Sequence, residues 1–309
     1  RKENKSVIFI SHDLDEIMEV CDTLTVLRDG KIIRTFEKAE FEAGAIRASM
    51  IGRELQGDYY RSDFQASSQP EVALDVRNLV YEDRLKGISF QVHKGEIVGI
   101  GGLAHCGMHS LGKVCFGALK PEEGSVTVED GTIIDSPAIA MKKRVGYVSK
   151  DRDVESLCLN ASIEDNISIA GMSEFAINNF LILKNREKKY VNHQIEELSI
   201  KCAGRDQSVS QLSGGNKQKV VFGKWIGCGS EILILDCPTR GVDIGVKQAM
   251  YQLMVRLKNE GKSILMISEE LPELIGMSDR ILIMKNGEVS AEFERSETLS
   301  DAQIIEYMI

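Results

Sequence analysis

The glycine-rich residues Gly99–Val114, GIGGLAHCGMHSLGKV, follow the apolar run GEIVGI and have the composition of a phosphate-binding loop. In such a loop, GxxxxGK[ST], backbone amides cradle the phosphates, the lysine neutralises them and the hydroxyl binds magnesium. The pattern fits this sequence in two incompatible frames. The first frame begins at Gly107 and ends in Lys113, but Val114 then stands where the hydroxyl is needed.

The second frame begins at Gly102 and has Gly107 as its second glycine. Met108 then replaces the lysine and His109 replaces the hydroxyl, so the backbone cradle is retained while the positive charge is lost. The choice of frame decides whether the chain can hydrolyse a nucleotide by itself. In the second frame the predicted nucleotide-binding residues of the loop are Gly102, His105, Cys106, Gly107, Met108 and His109.

Three of these loop residues, His105, Cys106 and His109, are also types that bind transition metals. A turn-forming glycine lies among them, and no further ligand pattern accompanies them. A metal site within the loop is therefore the weaker interpretation.

The string SQLSGGNKQKVVFGKWIGCG, which begins at Ser210, is the most specific motif of the chain. Ser213 is predicted to cap a helix that starts just after the glycine pair. The two glycines leave backbone N–H groups unshielded, and the helix dipole favours a negative ligand at this end. The residues predicted to contact phosphate are Leu212, Ser213, Gly214, Gly215 and Asn216.

The apolar run EILILD ends in Asp236 and is followed by Cys237. A carboxylate at the end of a buried strand can hold magnesium, often through water. Asp236 is therefore the predicted magnesium ligand.

Two segments of the chain repeat one another. Residues 5–33 and 262–290 share an apolar run, a serine, an acidic helix start, a second apolar run and a turn glycine in one register. The second copy closes a complete-looking domain, whereas the first has nothing before it. We therefore predict a C-terminal remnant of a first domain at 1–55, a polar linker at 56–72 and a second domain at 73–309.

Short apolar strands alternate with helical patterns from about residue 73 onward. The late runs EILILD, SILMIS and RILIMK are apolar at consecutive positions, which indicates a parallel sheet covered on both faces. The early runs, joined by short turns such as HKG and EDG, are predicted to be antiparallel. A polar, helix-favouring region predicts a helical subdomain at about 160–228.

Composition excludes several classes of protein. The net charge of −9 makes nucleic acid an improbable partner, because a duplex binder needs a basic face. The seven scattered cysteines show no CxxC spacing, which argues against disulfides or a zinc site and favours a reducing cytoplasm. No apolar run is long enough to cross a bilayer, so no direct membrane insertion is expected. The first residues show no charged-then-apolar leader pattern, so we expect no secretion signal.

Taken together, these motifs resemble the nucleotide-binding subunits of ABC transporters. LSGGN resembles their signature, ILILD their Walker B strand, GVD with Asp243 their D-loop, and KSILMIS their switch-loop strand. The string MIGREL and the tandem layout are similar to the double ATPases of bacterial carbohydrate importers of the ribose, galactose and xylose type. The resemblance implies an α/β fold, a P-loop NTPase of the ABC ATPase type with a parallel-sheet core, an antiparallel β subdomain and an inserted helical subdomain.

The resemblance also selects the second frame of the phosphate loop. In this family the helix after the loop is commonly followed by the dipeptide FG. Phe116 and Gly117 occupy that position if Gly102 and Gly107 are the loop glycines. Lys113 then lies inside the helix, away from the phosphates.

Four departures from a working ATPase follow by position. Met108 lacks the lysine charge, His109 is a poor magnesium ligand, Cys237 replaces the glutamate that polarises water, and Glu269 stands where the first copy has His12. Phosphoryl transfer depends on positioning and electrostatics, and removing one such group typically costs about 100- to 1000-fold in rate. We expect this domain's own site to be nearly inert, which leaves open whether the chain is an active enzyme.

The surviving motifs belong to a different composite site. ABC ATPases bind nucleotide between two domains, with the phosphate loop of one facing the signature of the other. The resemblance therefore implies that LSGGN and the switch histidine His12 serve the nucleotide of a first ABC ATPase domain.

Two further assignments come from the resemblance by position. Tyr81 either stacks on adenine or is a core residue. VSKDR, with Lys150 and Asp151, occupies the Q-loop position, although Lys150 departs from the acidic residue usual in this branch.

The implied cofactors are ATP and Mg²⁺. The implied partners are an integral membrane permease, a periplasmic or extracellular sugar-binding protein and another ABC ATPase domain, at the cytoplasmic face of the cell membrane. The alternative is a non-hydrolysing nucleotide-binding regulatory module, or a decayed gene product, without a transport role.

Overall fold

The chain divides into two compact units. The first boundary between them along the chain falls between Tyr59 and Tyr60, inside the predicted linker. The first unit contains residues 1–59 and 242–249, and the second unit contains residues 60–241 and 250–309. The computed structural model describes residues 5–11, 14–28, 30–51, 59–64, 67–177 and 181–309.

The first unit is built around a short antiparallel hairpin. It contains, in chain order, α1 (Leu14–Val20), β1 (Thr23–Arg28), β2 (Lys31–Glu37) and α2 (Ala43–Ile51). β1 and β2 pair with each other. Apolar side chains of these elements and of residues 242–249 form a small core that comprises Leu14, Val26, Phe36, Ile46 and Ile244.

The apolar run SVIFIS at the start of the first repeat does not form a strand. Residues 5–11 have no regular secondary structure, and Val7, Ile8 and Ile10 are each at least 85% exposed. A strand needs a neighbour for its backbone hydrogen bonds, and in the described part of this unit β1 and β2 pair only with each other. The equivalent run in the second unit forms a buried strand because parallel neighbours flank it.

The second unit contains most of the regular structure. Its elements are, in chain order, β3 (Val72–Tyr81), β4 (Leu85–His93), β5 (Ile97–Gly102), α3 (Met108–Cys115), β6 (Glu123–Val128), α4 (Pro137–Lys142), β7 (Val145–Val148), α5 (Ile163–Ser168), α6 (Met172–Phe175), β8 (Ala176–Ile177), β9 (Leu181–Ile182), α7 (Lys184–Glu197), α8 (Gly214–Gly227), β10 (Ile232–Asp236), α9 (Ile244–Asn259), β11 (Ser263–Ile267), α10 (Leu271–Met277), β12 (Arg280–Lys285), β13 (Glu288–Glu294) and α11 (Asp301–Met308). Residues 244–249 of α9 belong to the first unit.

A six-stranded sheet in the order β13-β12-β5-β11-β10-β7 forms the centre of this unit. All neighbours pair in parallel except β12 and β13. Every residue of β5, β7, β10 and β11 is buried. For β10 and β11 the consecutive apolar positions therefore predicted a covered parallel strand for the right reason, since both faces of each strand are packed.

The division between early antiparallel and late parallel strands was partly wrong. β3, β4 and β6 do form a separate antiparallel sheet in the order β4-β3-β6. However, the HKG turn leads from β4 into β5, which pairs in parallel with β11 and β12. β7 also joins the parallel sheet. A short turn does not make a hairpin when the next strand finds its hydrogen-bond partners elsewhere.

The region between β7 and β10 is mainly helical and contains α5, α6, α7 and α8. One part differs from the predicted helical subdomain: β8 and β9 form a two-residue antiparallel ladder between α6 and α7. The β-branched residues Ile177 and Ile182 favour the extended conformation there. In the described part of the chain, no helix is long and apolar enough to cross a membrane.

The carboxyl ends of four adjacent parallel strands lie at one edge of the central sheet. β5 ends at Gly102, β11 at Ile267, β10 at Asp236 and β7 at Val148. The loops that follow these strands therefore meet outside that edge, which is where ligands bind in open α/β sheets.

A buried ion cluster anchors Arg61 within the second unit. The Asp279 carboxylate accepts a hydrogen bond from Arg61 at 2.9 Å and lies 3.1 Å from the Lys258 ammonium. It also accepts from the backbone N–H of Ile97 at 2.8 Å. All three charged side chains are nearly fully buried. The predicted linker therefore contains a residue that is anchored inside the domain.

Asp279→Asn should lower the free energy of unfolding of the second unit by about 3–5 kcal/mol, because it leaves the buried Lys258 ammonium without its counter-charge and the buried Arg61 guanidinium with only the exposed Asp63. Denaturant unfolding followed by the fluorescence of Trp225, the single tryptophan of the chain, measures this change.

Asp63→Asn is the matched control. Asp63 pairs with the same Arg61 side chain at 2.6 Å, but it is 52% exposed. Exposed pairs typically contribute less than about 1 kcal/mol, so this variant should be close to the wild type. Equal losses in the two variants would contradict a special role for the buried cluster.

Candidate functional site

The glycine-rich loop connects β5 to α3, and its two glycines are required by close packing. An added Cβ at Gly102 would lie 2.5 Å from the carbonyl oxygen of Met284, and one at Gly107 would lie 2.1 Å from that of Arg84. Gly107 also has a φ of 102°, which L side chains rarely adopt. The backbone therefore turns tightly where the second frame places its glycines.

A cavity of about 500 Å³ lies over this loop, within the size range of small-molecule pockets. The first turn of α3 borders it, so the positive end of the helix dipole faces the cavity. Its lining residues are Asp83, Arg84, His105, Cys106, Gly107, Met108, His109 and Ser110.

The two candidate lysine positions have different surroundings. Lys113 lies inside α3 and forms an ion pair with Glu155 at 2.6 Å, and it does not line the cavity. Met108 lines the cavity but is 1% exposed, and its apolar side chain brings no charge. These placements support the second frame and place no lysine of the loop at the cavity.

His109 reaches across the strand ends to Asp236. Its Nδ1 atom lies 2.7 Å from Oδ1 of Asp236, while Oδ2 accepts a hydrogen bond from the Tyr147 hydroxyl at 3.2 Å. Asp236 is fully buried. Both carboxylate oxygens are therefore engaged by protein side chains.

Cys237 follows Asp236 at the end of β10 and is buried. Its backbone has a φ of 49°, and its N–H donates to the carbonyl of Ile267 at 2.8 Å. Burial, together with the neighbouring Asp236 charge, raises the pKa of the thiol well above its usual range. The residue is held rigidly but offers no ionised group at neutral pH.

Lys150 follows β7 and Glu269 follows β11, and both side chains contact His109. Together with Asp236 and Cys237 these residues form one cluster. The Lys150 ammonium lies 2.6 Å from Oε1 of Glu269 and 3.1 Å from Nε2 of His109. His109 Nε2 is itself 3.4 Å from Oε1 of Glu269. The hydrogen bond from Lys150 holds the pKa of Glu269 below its ordinary value, against the effect of partial burial.

Sequence reasoning missed this network. It treated Lys150 as part of the Q-loop and Glu269 as a lost histidine, although both depart from the family pattern and carry opposite charges. That pair of departures was the available signal. In the structure the side chains at these two positions, Lys150 and Glu269, form an ion pair.

These residues do not fit a magnesium ion of the expected kind. Mg²⁺ requires oxygen ligands in near-octahedral geometry. Here an imidazole occupies the position of the hydroxyl, a thiol occupies that of the second carboxylate, and Asp236 is already bound to His109. The site therefore lacks the set of oxygen ligands that Mg²⁺ requires.

The signature residues begin α8 in a slightly different way from that predicted. The helix starts at Gly214 rather than after the glycine pair, and the Ser213 side chain makes no capping hydrogen bond to the backbone. Instead the Ser213 hydroxyl accepts from the Asn216 amide at 2.9 Å, and Asn216 accepts from the N–H of Lys201 at 2.8 Å. Leu212 is buried, and Gly215 lies buried in the first turn.

Arg152, in the segment predicted as the Q-loop, links the signature helix to the segment after β10. Its guanidinium donates to the carbonyls of Arg240 at 2.6 Å and Gly241 at 3.3 Å, and to Gln218 of α8 at 3.4 Å. Asp151 forms an ion pair with Arg240 at 3.2 Å. No sequence motif predicts this bridge, because its acceptors are mainly backbone carbonyls.

Three of the predicted site residues are not part of this cluster. Tyr81 ends β3 and is partly exposed, and its carbonyl accepts from Arg84, which lines the cavity. Asp243 belongs to the first unit, where its carboxylate accepts from the N–H of Val246 at the start of α9. His12 lies outside the described residues.

Comparison with known proteins agrees with this geometry. A family model described as ABC transporter matches residues 85–240. This chain belongs to the ABC transporter family. The predicted resemblance is thereby confirmed.

Two curated proteins are similar along nearly the whole chain. The Ribose import ATP-binding protein RbsA of Clostridium tetani (strain Massachusetts / E88) is 37% identical over 310 residues, which cover 100% of this chain and 61% of that protein. The protein of the same name from Bacillus subtilis (strain 168) is 38% identical over 302 residues, which cover 97% and 60%. The chain thus spans about three fifths of the length of these relatives.

Solved structures of ABC cassettes share the fold. A nucleotide-free ATP-binding cassette from an ABC transporter matches with a TM-score of 0.63 at 23% identity, covering 77% of this chain and 99% of that chain. The predicted fold class, an α/β P-loop NTPase of the ABC ATPase type, is confirmed.

In this ABC transporter chain, Lys150→Met should raise the pKa of Glu269 toward its ordinary value of 4.5. A depressed folded-state pKa contributes stability that is present above the unfolded pKa and lost as the pH falls through the folded pKa. The wild-type chain should therefore lose this contribution below pH 4.5, and the variant should lose less of it. NMR titration of the Glu269 carboxyl carbon measures the pKa directly.

Lys113→Met is the control for this titration, because Lys113 pairs with Glu155 instead. It should leave the pKa of Glu269 unchanged. An unchanged pKa in Lys150→Met would show that the ion pair does not form in solution.

Proposed function

We propose that this chain is part of the ATP-binding, energy-coupling subunit of a bacterial carbohydrate importer. The proposal rests on the family, on the whole-chain similarity to proteins named for ribose import, and on the intact signature string. Under this proposal residues 1–55 are the end of a first ABC ATPase domain, and 73–309 form a second one. A membrane permease and a sugar-binding protein would be the transport partners, with the chain at the cytoplasmic face of the membrane.

We further propose that the chain's own nucleotide site is degenerate. The observation that carries this is the closed network of His109, Asp236, Lys150 and Glu269. By resemblance to the family, these residues stand where a metal and a γ-phosphate would be bound. The loop amides and the start of α3 remain available to hold phosphate. Without a lysine at Met108 or an acid at Cys237, the site can bind a nucleotide but stabilises no charge during its cleavage.

The signature helix has a separate role in this proposal. It completes the nucleotide site of the first domain, whose switch histidine would be His12. Support comes from the contacts of Arg152, which hold α8 against the segment after Asp236. Such contacts keep the helix N-terminus oriented toward a partner's phosphates.

Nucleotide binding tests the degenerate site and the frame together. Met108→Lys with His109→Ser should tighten ATP binding about tenfold or more and make it depend on Mg²⁺, because a charge-assisted contact and a hydroxyl are restored. The wild type should bind ATP weakly and without Mg²⁺ dependence, and should hydrolyse it at background rate. Isothermal titration calorimetry and a phosphate-release assay provide the readouts.

Lys113→Met is the control for the frame, and it should leave ATP binding unchanged. Loss of ATP binding in Lys113→Met would favour the first frame and contradict the proposal. Rapid hydrolysis by the wild-type chain alone would contradict the degenerate site. Cys237→Glu alone should not restore hydrolysis, because Met108 and His109 remain.

The transport role is tested by complementation of cells that lack the gene, with uptake of labelled ribose as the readout. Ser213→Arg should abolish uptake, since a bulky cation at the signature blocks the partner's phosphates. Cys237→Ser should retain most of it, since this site contributes little to hydrolysis. Full uptake with Ser213→Arg, or no uptake defect in the deletion strain for any tested pentose or hexose, would contradict the importer proposal.

A further inference from the structure

Three side chains with metal-ligating atoms converge at the ends of α3 and β10. They are His109, Asp236 and Cys237, and their ligand atoms all lie within 4.8 Å of one another. His109 Nδ1 and Asp236 Oδ1 are 2.7 Å apart. A single ion between the three atoms needs only small side-chain adjustments to reach bonding distance from each.

The donor types select the class of metal. An imidazole nitrogen, a carboxylate oxygen and a thiolate sulfur suit a borderline-soft divalent transition metal, whereas Mg²⁺ prefers oxygen alone. We propose that this cluster is a Zn²⁺ site with His109, Asp236 and Cys237 as ligands. The proposal goes beyond the function proposed above and requires no nucleotide.

The surroundings hold two of the three ligands, Asp236 and Cys237, in place. Asp236 is fully buried and its Oδ2 is held by the Tyr147 hydroxyl, so Oδ1 points at the site. Cys237 is fixed by its positive φ and by its backbone hydrogen bond to Ile267. Ligands on rigid strand ends lose little freedom on binding an ion, which favours affinity.

Glu269 supplies the outer support that metal-bound histidines usually have. It lies 3.4 Å from Nε2 of His109, on the far side of the ring from Asp236. Once Nδ1 binds the metal, a carboxylate at Nε2 can hold the ring proton on that nitrogen. Lys150 balances the charge of Glu269 at 2.6 Å.

Binding of the ion relocates one proton and releases another. Without metal, Nδ1–H of His109 donates to Asp236, and Nε2 accepts from Lys150 at 3.1 Å. With metal, the ring proton resides on Nε2 and faces Glu269, while Nδ1 binds Zn²⁺. The Cys237 thiol loses its proton to solvent as the Zn–S bond forms, so one proton is released for each ion bound.

The coordination is open at one position. Three protein ligands leave the fourth position of tetrahedral zinc for water. The His109 side chain is 28% exposed and lines the cavity, which gives the ion and its water a route to solvent.

Titration of the 309-residue chain with Co²⁺, in the absence of nucleotide, tests this site. Cobalt is a spectroscopic substitute for zinc, and a thiolate ligand produces a near-ultraviolet charge-transfer band. We expect one Co²⁺ per chain with that band, complete displacement by Zn²⁺, and no displacement by a large excess of Mg²⁺. Absence of the band in the wild type would overturn the proposal.

Cys237→Ser should lose the charge-transfer band, and His109→Gln should weaken Co²⁺ binding at least about tenfold. Cys158→Ser is the matched control, because Cys158 is an exposed thiol outside the cluster, and it should keep the wild-type spectrum. Glu269→Gln keeps all three ligands but should still weaken binding about 10- to 100-fold. Circular dichroism confirms that each variant is folded.

A band that persists in Cys237→Ser, or that disappears in Cys158→Ser, would overturn the assignment of the ligands. If Cys237→Ser does not fold, the partly exposed His109→Gln decides the matter by its Co²⁺ affinity. Failure of the metal titration leaves the ATP-binding and uptake results unaffected, so the two proposals fail separately.

Discussion

The parallel pairing of β5, β11, β10 and β7 is the constraint on which the candidate site depends. Parallel strands place their carboxyl ends at one edge, so the loops after Gly102, Ile267, Asp236 and Val148 meet there. Each of these strands is fully buried, and a shift in register would move apolar side chains onto the wrong face. The core therefore fixes the site geometry before any ligand arrives.

The charges at this edge compensate one another. A buried carboxylate such as Asp236 is costly unless it is paired, and an ATPase ordinarily supplies a metal and phosphates nearby. Here His109 contacts Asp236, and Lys150 lies between His109 and Glu269. The departures from the family pattern form one connected arrangement, which gives a physical reason for them to occur in the same chain.

Under the proposed function, the phosphate loop and the signature helix of the second domain have different roles. The phosphate loop keeps its backbone turn but has lost its cation, while the signature helix keeps its glycines. Arg152 donates to carbonyls after β10 and to Gln218 on α8, so the signature helix is held by contacts that do not depend on the chemistry at Cys237. A domain can therefore retain a role in a partner's site after its own site has changed.

The sequence by itself determined the family, the covered strands and the motif residues, because these depend on local apolar runs and short spacings. Tertiary structure decided the rest. The strand partners of GEIVGI were misjudged, since hydrogen-bond partners are not encoded locally. The pairs His109–Asp236 and Lys150–Glu269 are 127 and 119 residues apart. No spacing rule predicts such contacts, because only the folded sheet brings the ends of separate strands together.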